Sequence, residues 1–442
     1  MRMLTRADAE YDEARQLFNC AIDRRPAVIA PCASPKDIRE ALTHSADNSL
    51  AVAVRAGGHS VSGLSTNDGG MVIDVRPMKT IELNHERRTV RVGAGVTWGE
   101  FDAAAEEHGL AVTGGRATST GVAGFTLGGG DGWLSRAFGL ACDNLISVKL
   151  VTADGREVTA SETENQQLFW ALHGGGGNFG VATEFEFTLH PLGPTVLAGL
   201  ALWTFDQAQE VSRVFRDLMT SAPNELGSAL AVISGPPEEF MPPELVGQTL
   251  VGVAVCYAGP VAEGRDAIKP LIDLAPDVNL ISDIPYTQMQ IMLTDPPGFH
   301  HYWSADYHDE FNDDAISVFL AAGADRASPL ATQFLVPWGG AIAQVPDDAT
   351  PLTKRGTQWV THPFAVWEKP DEAAANIEWV RKFRRDISPH TNGGVYLNFI
   401  GDEGQDRVRA AFGEQKYRRL AAVKGEFDPQ NIFQGNQNIR PA

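Results

Sequence analysis

One histidine, His59, stands in the stretch RAGGHS, directly after two glycines and between the strand-like runs SLAVAV and GGMVIDV. Glycines lack the Cβ that keeps a backbone away from a flat or anionic group, so Gly57 and Gly58 would let such a group approach the imidazole. From this stretch alone two interpretations stand: a glycine turn that approaches a flat or anionic group, or a tight turn whose imidazole satisfies a loop carbonyl.

Three separate glycine loops, at residues 57–58, 128–132 and 174–177, are more than turns alone require. The letters GGGNFG at 175–180 fit GxGxxG, but that dinucleotide fingerprint needs a strand before it and a helix after it. Here the helix-like QQLFWALH precedes and the strand-like VATEFEFTL follows, which disfavours a Rossmann site. The loops could instead wrap an extended pyrophosphate with backbone amides, together with nearby hydroxyls: Ser60, Ser62, Thr118, Thr120 and Thr126.

The elements that position these loops follow from capping signals and periodicity. A charged helix is predicted at the start of the chain, and strands at RPAVIAP, SLAVAV and RTVRVGAGV. A helix follows the N-cap Ser34, with Pro35 at its first position and Asp37 completing a capping box. Another helix follows Thr97 and ends at Gly109.

Farther along, the segment 114–132 is too rich in glycine for a regular element, and a hairpin is predicted around Asp154-Gly155. Beyond about residue 193, strands and helices alternate, which suits a sheet covered by helices on one face. The chain ends in an irregular segment whose amides are expected to form hydrogen bonds: Gln434, Asn436, Gln437 and Asn438.

Composition restricts the partners of the protein. With 36 Lys and Arg against 56 Asp and Glu, the net charge of −20 would repel phosphate backbones and anionic lipid, so neither nucleic acid nor a membrane is expected. The four cysteines form no CxxC pair, which argues against a disulfide framework and a thiolate metal site. The first residues carry acids where a signal peptide needs an apolar core, and we expect a soluble cytoplasmic protein.

The ordered set RAGGHS, GVAGFTLGGGDGWLSRAFGLACDN, LFWALHGGGGNFGVAT, YLNF and FDPQNIFQGNQNI resembles the FAD-linked oxidoreductases of the vanillyl-alcohol oxidase superfamily, in the branch named after berberine bridge enzyme. The resemblance implies an α+β, two-domain PCMH-type FAD-binding fold with a central α/β substrate domain. It places the N-terminal part of the FAD-binding domain at 1–192, the substrate domain at 193–400, and the segment that returns to the FAD-binding domain at 401–442.

The resemblance also implies that FAD is bonded through the ring of His59 to its C8 methyl group. Many relatives add a second bond from a cysteine, but that position is Ala117 here, so a single attachment is expected. The other cofactor-binding residues carried over from the family pattern or from the glycine-loop and tail signals are Arg55, Gly57, Gly58, Ser60, Gly63, Thr118, Thr120, Gly121, Gly124, Thr126, Gly128, Trp133, Leu134, Gly177, Asn178, Gly180, Val181, Tyr396, Asn398, Asn436 and Asn438.

Tyr396, in GGVYLNF, is the candidate catalytic base. A free phenol has a pKa near 10, so this role requires a depressed pKa, for which Lys354 and Arg355 are candidate cations. The alternative is a tyrosine that only fixes the flavin edge by a hydrogen bond. Asn398, two residues on, would face the same way in a strand and could orient substrate or flavin.

The predicted function is an FAD-dependent oxidase that takes a hydride from an alcohol or amine carbon of a sugar-like or secondary-metabolite substrate and passes the electrons to O2, giving H2O2. A flavin dehydrogenase with another acceptor and an inactive flavin carrier are the alternatives. The cluster GFHHYWSADYHDEF at 298–311 is expected to form a stacking wall for a sugar or ring system. Its histidines lack a matching carboxylate motif, so no metal is assigned.

Overall fold

The computed structural model describes residues 1–292 and 297–442. Its first part forms two small sheets and a two-stranded ribbon. The strands are β1 (Val28–Pro31), β2 (Val52–Arg55), β3 (Met71–Asp74), β4 (Ile81–Asn84), β5 (Thr89–Gly93), β6 (Leu110–Ala111), β7 (Leu145–Val151), β8 (Glu157–Ser161), β9 (Val181–Thr188) and β10 (His190–Pro191). A parallel sheet has the order β1-β3-β2, an antiparallel sheet has the order β4-β5-β9-β7-β8, and β10 pairs with β6.

Around these sheets lie short helices: α1 (Tyr11–Ala14), α2 (Pro35–Asp47), α3 (Trp98–Glu106), α4 (Val122–Leu127), α5 (Ser135–Phe138) and α6 (Gln166–Leu172). Both predicted N-caps are confirmed, since the side chain of Ser34 accepts a hydrogen bond from the N–H of Asp37, and Thr97 forms a capping box with Glu100. The capping box predicted at Ser34 is not complete, because the Asp37 carboxylate accepts from the N–H of Ala33 instead of that of Ser34. The predicted hairpin at residues 154–155 joins β7 to β8.

The second part forms one large antiparallel sheet. Its strands are β11 (Val196–Thr204), β12 (Leu226–Ser234), β13 (Thr249–Tyr257), β14 (Val278–Asn279), β15 (Ser282–Ile284), β16 (His300–Trp303), β17 (Asp306–His308), β18 (Thr332–Pro337) and β19 (Trp359–Trp367). The order is β14-β11-β13-β12-β18-β19-β16, with β15 beside β11 and β17 beside β19. The helices of this part are α7 (Ala208–Ser221), α8 (Val261–Ala267), α9 (Lys269–Ile272), α10 (Tyr286–Met292), α11 (Asp313–Ala324), α12 (Ala341–Gln344) and α13 (Ala373–Ile387).

The last helix, α14 (Gln405–Phe427), and the tail after it pack back against the third glycine loop. The fully buried ammonium of Lys424 donates to the carbonyl of Asn178 at 2.7 Å, the carbonyl of Phe433 at 3.0 Å and the carboxylate of Asp428 at 2.6 Å. The N–H of Ile439 donates to the side chain of Asn178. These contacts hold the tail beside residues 174–178.

Three local predictions are wrong. The charged N-terminal stretch is helical only over α1, because Leu4 pairs with the strand residue Ile29 and the carboxylate of Asp8 accepts hydrogen bonds from Thr5, closing a turn. The glycine-rich segment 114–132 contains the helix α4, whose Val122 and Ala123 are buried in the core.

The third correction concerns the stretch YLNF. Tyr396 has an extended backbone, but Leu397–Phe399 form a turn of 3₁₀-helix rather than a strand. The side chains of Tyr396 and Asn398 nevertheless meet, because the 3₁₀ turn brings the Asn398 amide to 3.1 Å from the Tyr396 hydroxyl.

Candidate active site

A cavity of about 410 Å³ lies between the glycine loops and the large sheet. On one side it is lined by residues of all three loops and of the tail, including Gly57, Gly128 and Gly177. On the other side it reaches β18 and β19 of the large sheet. The first and second parts of the chain therefore share one cavity.

Two glycines of this wall lie in close contact with each other. A Cβ added to Gly57 would lie 2.2 Å from the backbone nitrogen of Gly121, and a Cβ added to Gly121 would lie 2.4 Å from that of Gly57. No side chain fits at either position, so the first loop can lie against the start of α4 only with glycine at both positions.

Two other glycines leave open space for a ligand. Gly124 and Gly177 line the cavity, and a Cβ added to either would meet no protein atom within 4 Å. Five buried polar atoms of lining residues also lack a hydrogen-bond partner within the described chain: Ser65 Oγ, Arg116 Nε, Trp133 Nε1, Trp303 Nε1 and Asn436 Oδ1. Because buried polar groups are normally satisfied, a polar ligand with donors and acceptors fits this wall.

His59 lies at the edge of the cavity with both ring nitrogens near hydroxyl groups. Its Nε2 is 2.9 Å from Ser119 Oγ and its Nδ1 is 3.5 Å from Thr120 Oγ1. The imidazole stacks on Phe18 at 4.2 Å between ring centroids, and Phe18 stacks in turn on His301. Burial lowers the pKa of His59 to about 4, so the ring is neutral at pH 7 and keeps a nucleophilic lone pair.

The opposite wall is built by cross-strand pairs of β16, β18 and β19. Phe334 lies directly opposite His362, and Phe364 lies between Thr332 on one side and Trp303 on the other. Directly paired residues of antiparallel strands share a face of the sheet, so these side chains form one surface toward the cavity. Phe399, from the 3₁₀ turn, stacks on His362 at 4.3 Å.

An ion pair with a buried carboxylate and a half-buried guanidinium also lines the cavity. Arg116 donates to Asp131 at 2.8 Å, and its guanidinium lies 4.7 Å from the centre of the Trp133 ring. All three side chains line the cavity. The ion pair is a charged part of a largely aromatic lining. The guanidinium lies over the indole of Trp133 in a cation–π contact.

Comparison with known proteins assigns the family. The FAD binding domain family matches residues 26–161, and the family described as berberine and berberine like matches residues 395–440. An uncharacterised FAD-linked oxidoreductase of Bacillus subtilis is 30% identical over 453 residues, covering 100% of this chain and 97% of the relative. The chain belongs to the berberine bridge enzyme-like FAD-linked oxidoreductases.

Two further comparisons involve an oxidase that acts on a nicotine derivative. The (R)-6-hydroxynicotine oxidase of Paenarthrobacter nicotinovorans is 30% identical, with 98% of this chain and 95% of the relative covered. The crystal structure of 6-hydroxy-D-nicotine oxidase from Arthrobacter nicotinovorans superposes with a TM-score of 0.89 at 27% identity, covering 100% and 98% of the two chains. A berberine bridge enzyme-like protein of Physcomitrella patens, 22% identical, has the same fold with a TM-score of 0.89.

As a member of this family, the protein is an FAD-dependent oxidoreductase, and the cavity fits FAD through its open glycine positions and unpartnered polar atoms. Most of the site residues expected from the sequence line it. These are Gly57, Gly58, His59, Ser60, Thr120, Gly121, Gly124, Gly128, Trp133, Gly177, Gly180, Asn398 and Asn436.

The other expected residues of this oxidoreductase lie behind the lining: Arg55, Gly63, Thr118, Thr126, Leu134, Asn178, Val181, Tyr396 and Asn438. Arg55, expected at the pyrophosphate, instead donates to the backbone carbonyls of Ala14 and Gln16 and so anchors the N-terminal segment. Asn178 bonds to the carbonyls of Gly175 and Gln437, which joins the third glycine loop to the tail. Arg55 and Asn178 therefore support the cavity wall without lining it.

Tyr396, expected as the base, is fully buried and turned toward the second glycine loop. Its hydroxyl accepts hydrogen bonds from the N–H groups of Gly130 at 2.6 Å and Asp131 at 2.9 Å, and from the Asn398 amide. Burial raises the pKa of the phenol well above its ordinary value, and the Asp131 carboxylate adds to the effect. The expected cations lie elsewhere, since Lys354 donates to the carbonyl of Asn392 and Arg355 pairs with Asp143.

Sequence reasoning missed the parts of the aromatic wall formed by Phe334, Phe364 and Phe399, and it missed the Arg116–Asp131 pair. Of the stretch 298–311, Trp303 lines the cavity, whereas both ring nitrogens of His308 bond inside the protein to the carbonyl of His390 and the hydroxyl of Thr361. The alternation in TQFLVP and THPFAVW was a signal for two half-buried strands, but their pairing across more than 20 residues has no local signature.

Within residues 1–292 and 297–442, no cluster of histidine, cysteine, aspartate and glutamate has the arrangement of a metal site. Each helix in these ranges is too short or too polar to traverse a bilayer.

Proposed function

We propose that the protein is an FAD-dependent oxidase that removes a hydride from an alcohol or amine carbon of a small-molecule substrate and uses O2 as electron acceptor. The substrate loses two electrons and two protons as its C–H and its O–H or N–H bonds give way to C=O or C=N, and O2 takes up the same two electrons and two protons as H2O2. The observation that carries this proposal is the shared cavity, in which the glycine wall that fits FAD faces an aromatic wall of the large sheet. FAD supplies the hydride acceptor when bound.

The lining favours a ring system over an oligosaccharide within the sugar-like or secondary-metabolite range. Trp303, Phe334, Phe364 and Phe399 present ring faces and edges, and Val336 and Ala229 add apolar surface. A sugar needs many hydrogen-bonding partners, and a site lacking them would leave its hydroxyls desolvated and unpaired. A flat aromatic or heteroaromatic substrate suits this wall better.

Covalent attachment of the cofactor through His59 is part of the proposal. A bond would form between a ring nitrogen of His59 and the C8 methyl carbon of FAD as a methyl C–H bond breaks, and the two electrons released would pass to O2. The low pKa of His59 and its place on the cavity lining support this assignment. Ala117 also lines the cavity and offers no second nucleophile, whereas the Cys142 thiol is fully buried and lies off the lining, so one bond is proposed.

Tyr396 is better suited to positioning than to proton transfer. Three N–H donors converge on its oxygen and the side chain lies behind the cavity lining, which favours a role in holding the loop 128–131 against the flavin.

The free thiols of all four cysteines support a reducing, cytoplasmic compartment.

An anaerobic mixing experiment tests the function. The purified yellow protein is mixed under nitrogen with (R)-6-hydroxynicotine, 4-hydroxybenzyl alcohol or xylobiose, and the flavin absorbance is followed. An oxidase bleaches with a substrate and regains its colour in air with one H2O2 per flavin. Colour that returns only with a quinone acceptor indicates a dehydrogenase, and a flavin that none of a wider panel reduces indicates a carrier.

A further inference from the structure

His362 is the titratable side chain that β19 presents to the aromatic wall. It stands two residues before Phe364 and directly opposite Phe334 of β18, so all three side chains share the face of the sheet that lines the cavity. Its ring stacks on Phe399 at 4.3 Å with an interplanar angle of 17°, and it meets the edge of Trp303. The ring is therefore held in one orientation from several sides.

The backbone of Ser304, between β16 and β17, fixes which nitrogen of His362 carries the proton. Nδ1 lies 2.8 Å from the carbonyl oxygen of Ser304, and a carbonyl can only accept, so Nδ1 is the N–H donor. Nε2 then carries the lone pair. It has no hydrogen-bond partner among the described residues, and its surface is not closed off by neighbouring atoms. Because His362 lines the cavity, Nε2 faces that space.

The surroundings keep this imidazole neutral. Burial lowers its pKa to about 4, the Ser304 carbonyl opposes the shift, and the guanidinium of Arg116 adds to it. The side chains packed on the ring are otherwise aromatic: Trp303, Phe334, Phe364 and Phe399. Arg116 is itself paired with Asp131, so its charge is largely compensated.

The other groups that could act as a base at the cavity are already committed. Asp131 is paired with Arg116, and the Asn398 amide has no basic nitrogen and donates to the carbonyl of Phe125 and to Tyr396. His59 is assigned to the flavin, and the phenol of Tyr396 lies behind the lining. Nε2 of His362 is left as a free basic atom in front of the aromatic wall.

We propose that His362 is the catalytic base that takes the proton from the substrate hydroxyl or amine while the hydride leaves the adjacent carbon. This inference rests on the proposed oxidase function. The O–H or N–H bond breaks and an Nε2–H bond forms, the C–H electron pair leaves with its hydrogen to FAD, and the substrate gains a C=O or C=N bond. The imidazolium returns its proton to water after the product leaves.

The kinetic test compares His362→Gln with His300→Gln as a matched control. His300 is a histidine of the same sheet that does not line the cavity. With the substrate identified by anaerobic bleaching, His362→Gln should slow flavin reduction by about 10²–10⁴-fold with normal flavin content, and His300→Gln should not. In His362→Ala, added imidazole should restore part of the rate. An unchanged reduction rate in His362→Gln overturns the proposal.

The pH profile separates a base from a positioning residue. In the native protein the reduction rate should be level from pH 6 to 8 and fall only as the pH approaches the low pKa of His362, where the base form is lost. The His362→Gln variant should lack this fall. A profile that is the same in both proteins would contradict proton transfer to His362.

Chemical labelling tests the free nitrogen without any substrate. Diethyl pyrocarbonate transfers an ethoxycarbonyl group to an unprotonated imidazole nitrogen and releases ethanol and carbon dioxide. On the holoenzyme at pH 5, where an ordinary histidine is mostly protonated, mass spectrometry should find the label on His362 and not on His308, whose two nitrogens are hydrogen-bonded.

The labelling test and the flavin-reduction test distinguish failure of the base assignment from failure of the oxidase function. If His362 stays unlabelled while the half-exposed His300 reacts at pH 7, the inference is overturned even when the protein oxidises a substrate. If His362 is labelled but no compound reduces the flavin, the oxidase function fails and the base assignment fails with it.

Discussion

The imidazole of His59 lies against the ring of Phe18 and between the hydroxyls of Ser119 and Thr120, and its pKa of about 4 keeps it unprotonated. If this ring carries the flavin, acid precipitation of the native protein should leave a yellow pellet. In His59→Ala the pellet should be colourless and the flavin should appear in the supernatant, because the bonding nitrogen is absent.

The control for this experiment is His300→Ala, which should keep its yellow pellet. A proteolytic digest should place FAD on the peptide of His59 alone. A flavin that joins this peptide to the peptide of Cys142 would contradict the single attachment, and a colourless native pellet would contradict the covalent bond.

Tyr396 gives a second prediction for a single residue. Tyr396→Phe removes the acceptor of two buried N–H groups, those of Gly130 and Asp131, and each unsatisfied group costs about 1–3 kcal/mol. We expect a lower Tm and less flavin incorporated per protein, with a flavin reduction rate per bound flavin within a few-fold of the native one. Thermal unfolding and stopped-flow reduction measure the two effects.

The matched control is Tyr11→Phe, which removes a buried phenol that donates to the carbonyl of Pro26 away from the cavity. It should lower the Tm and leave flavin content unchanged. A loss of more than about 10² in the reduction rate of Tyr396→Phe at unchanged Tm would restore Tyr396 as the base.

Individual residues differ in how much the sequence reveals. His59 stands directly after two glycines in RAGGHS, and a motif of adjacent residues can be recognised without knowing the fold. His362 and Arg116 have no such neighbours, because their partners Ser304 and Asp131 are met only after the chain has folded. Tyr396 was expected as the base, but its hydroxyl accepts from the backbone N–H groups of Gly130 and Asp131, and the sequence does not reveal these contacts.

At the level of elements, α4 and the loop beside it depend on glycines for two different reasons. An alanine at Gly57 would place its Cβ 2.2 Å from a backbone nitrogen, whereas an alanine at Gly124 would meet only the open cavity. Gly124→Ala should therefore fold at least as stably as the native apoprotein, since alanine favours a helix by roughly 1 kcal/mol, but should bind FAD poorly. Gly57→Ala should lose stability and FAD together.

Calorimetry of the apoproteins and the flavin content of the purified proteins check this pair. Gly69→Ala is no suitable control because its φ of 67° disfavours a side chain, whereas Gly356→Ala meets no atom within 4 Å and lies off the lining. Full flavin occupancy in Gly124→Ala would contradict the placement of the cofactor against α4.

The last helix holds the tail through one buried ion pair. Lys424→Met should cost about 3–5 kcal/mol of unfolding free energy, because it leaves the carboxylate of Asp428 buried without its partner. Lys382→Met is the matched control, since Lys382 and Asp386 have the same spacing on α13 but are exposed, and it should cost less than about 1 kcal/mol. Urea unfolding measures both, and equal costs would contradict the role of the buried pair.

Elements with local signals were predicted well, and elements defined by distant partners were not. The caps of α2 and α3 and the hairpin of β7 and β8 depend on a few neighbouring residues. The helix α4 was missed because its glycines look unfavourable until its apolar side chains are seen buried against the core. The wall of β18 and β19 depends on a register between strands, which local alternation cannot fix.

At the scale of the whole molecule, the free energy of unfolding should depend on pH in the acid range. Burial lowers the pKa of His301 to about 3 and those of His308 and His362 to about 4, so below pH 6.5 the unfolded chain binds protons that the folded chain does not. Their contribution to stability is present above pH 6.5 and is lost as the pH falls toward 4. The raised pKa of Asp102, about 7, acts in the opposite direction, because the folded state holds that proton.

The histidines outnumber this aspartate, so the Tm should fall between pH 7.5 and pH 5, by the equivalent of a few kcal/mol. Differential scanning calorimetry at constant ionic strength measures the change. A Tm that stays level or rises over this range would contradict the neutral, buried state of these rings.

One wall of the cavity is formed by Phe433, Gly435, Asn436 and Gln437. In the sequence, these residues come after all the others that line the cavity. During synthesis on the ribosome, the glycine loops and the large sheet emerge while this side is still open. We therefore expect stable capture of FAD to follow translation of these residues, and a chain truncated before residue 433 should be purified without yellow colour. Flavin supply in the cell then acts on the finished polypeptide, as a step of maturation rather than of folding during synthesis.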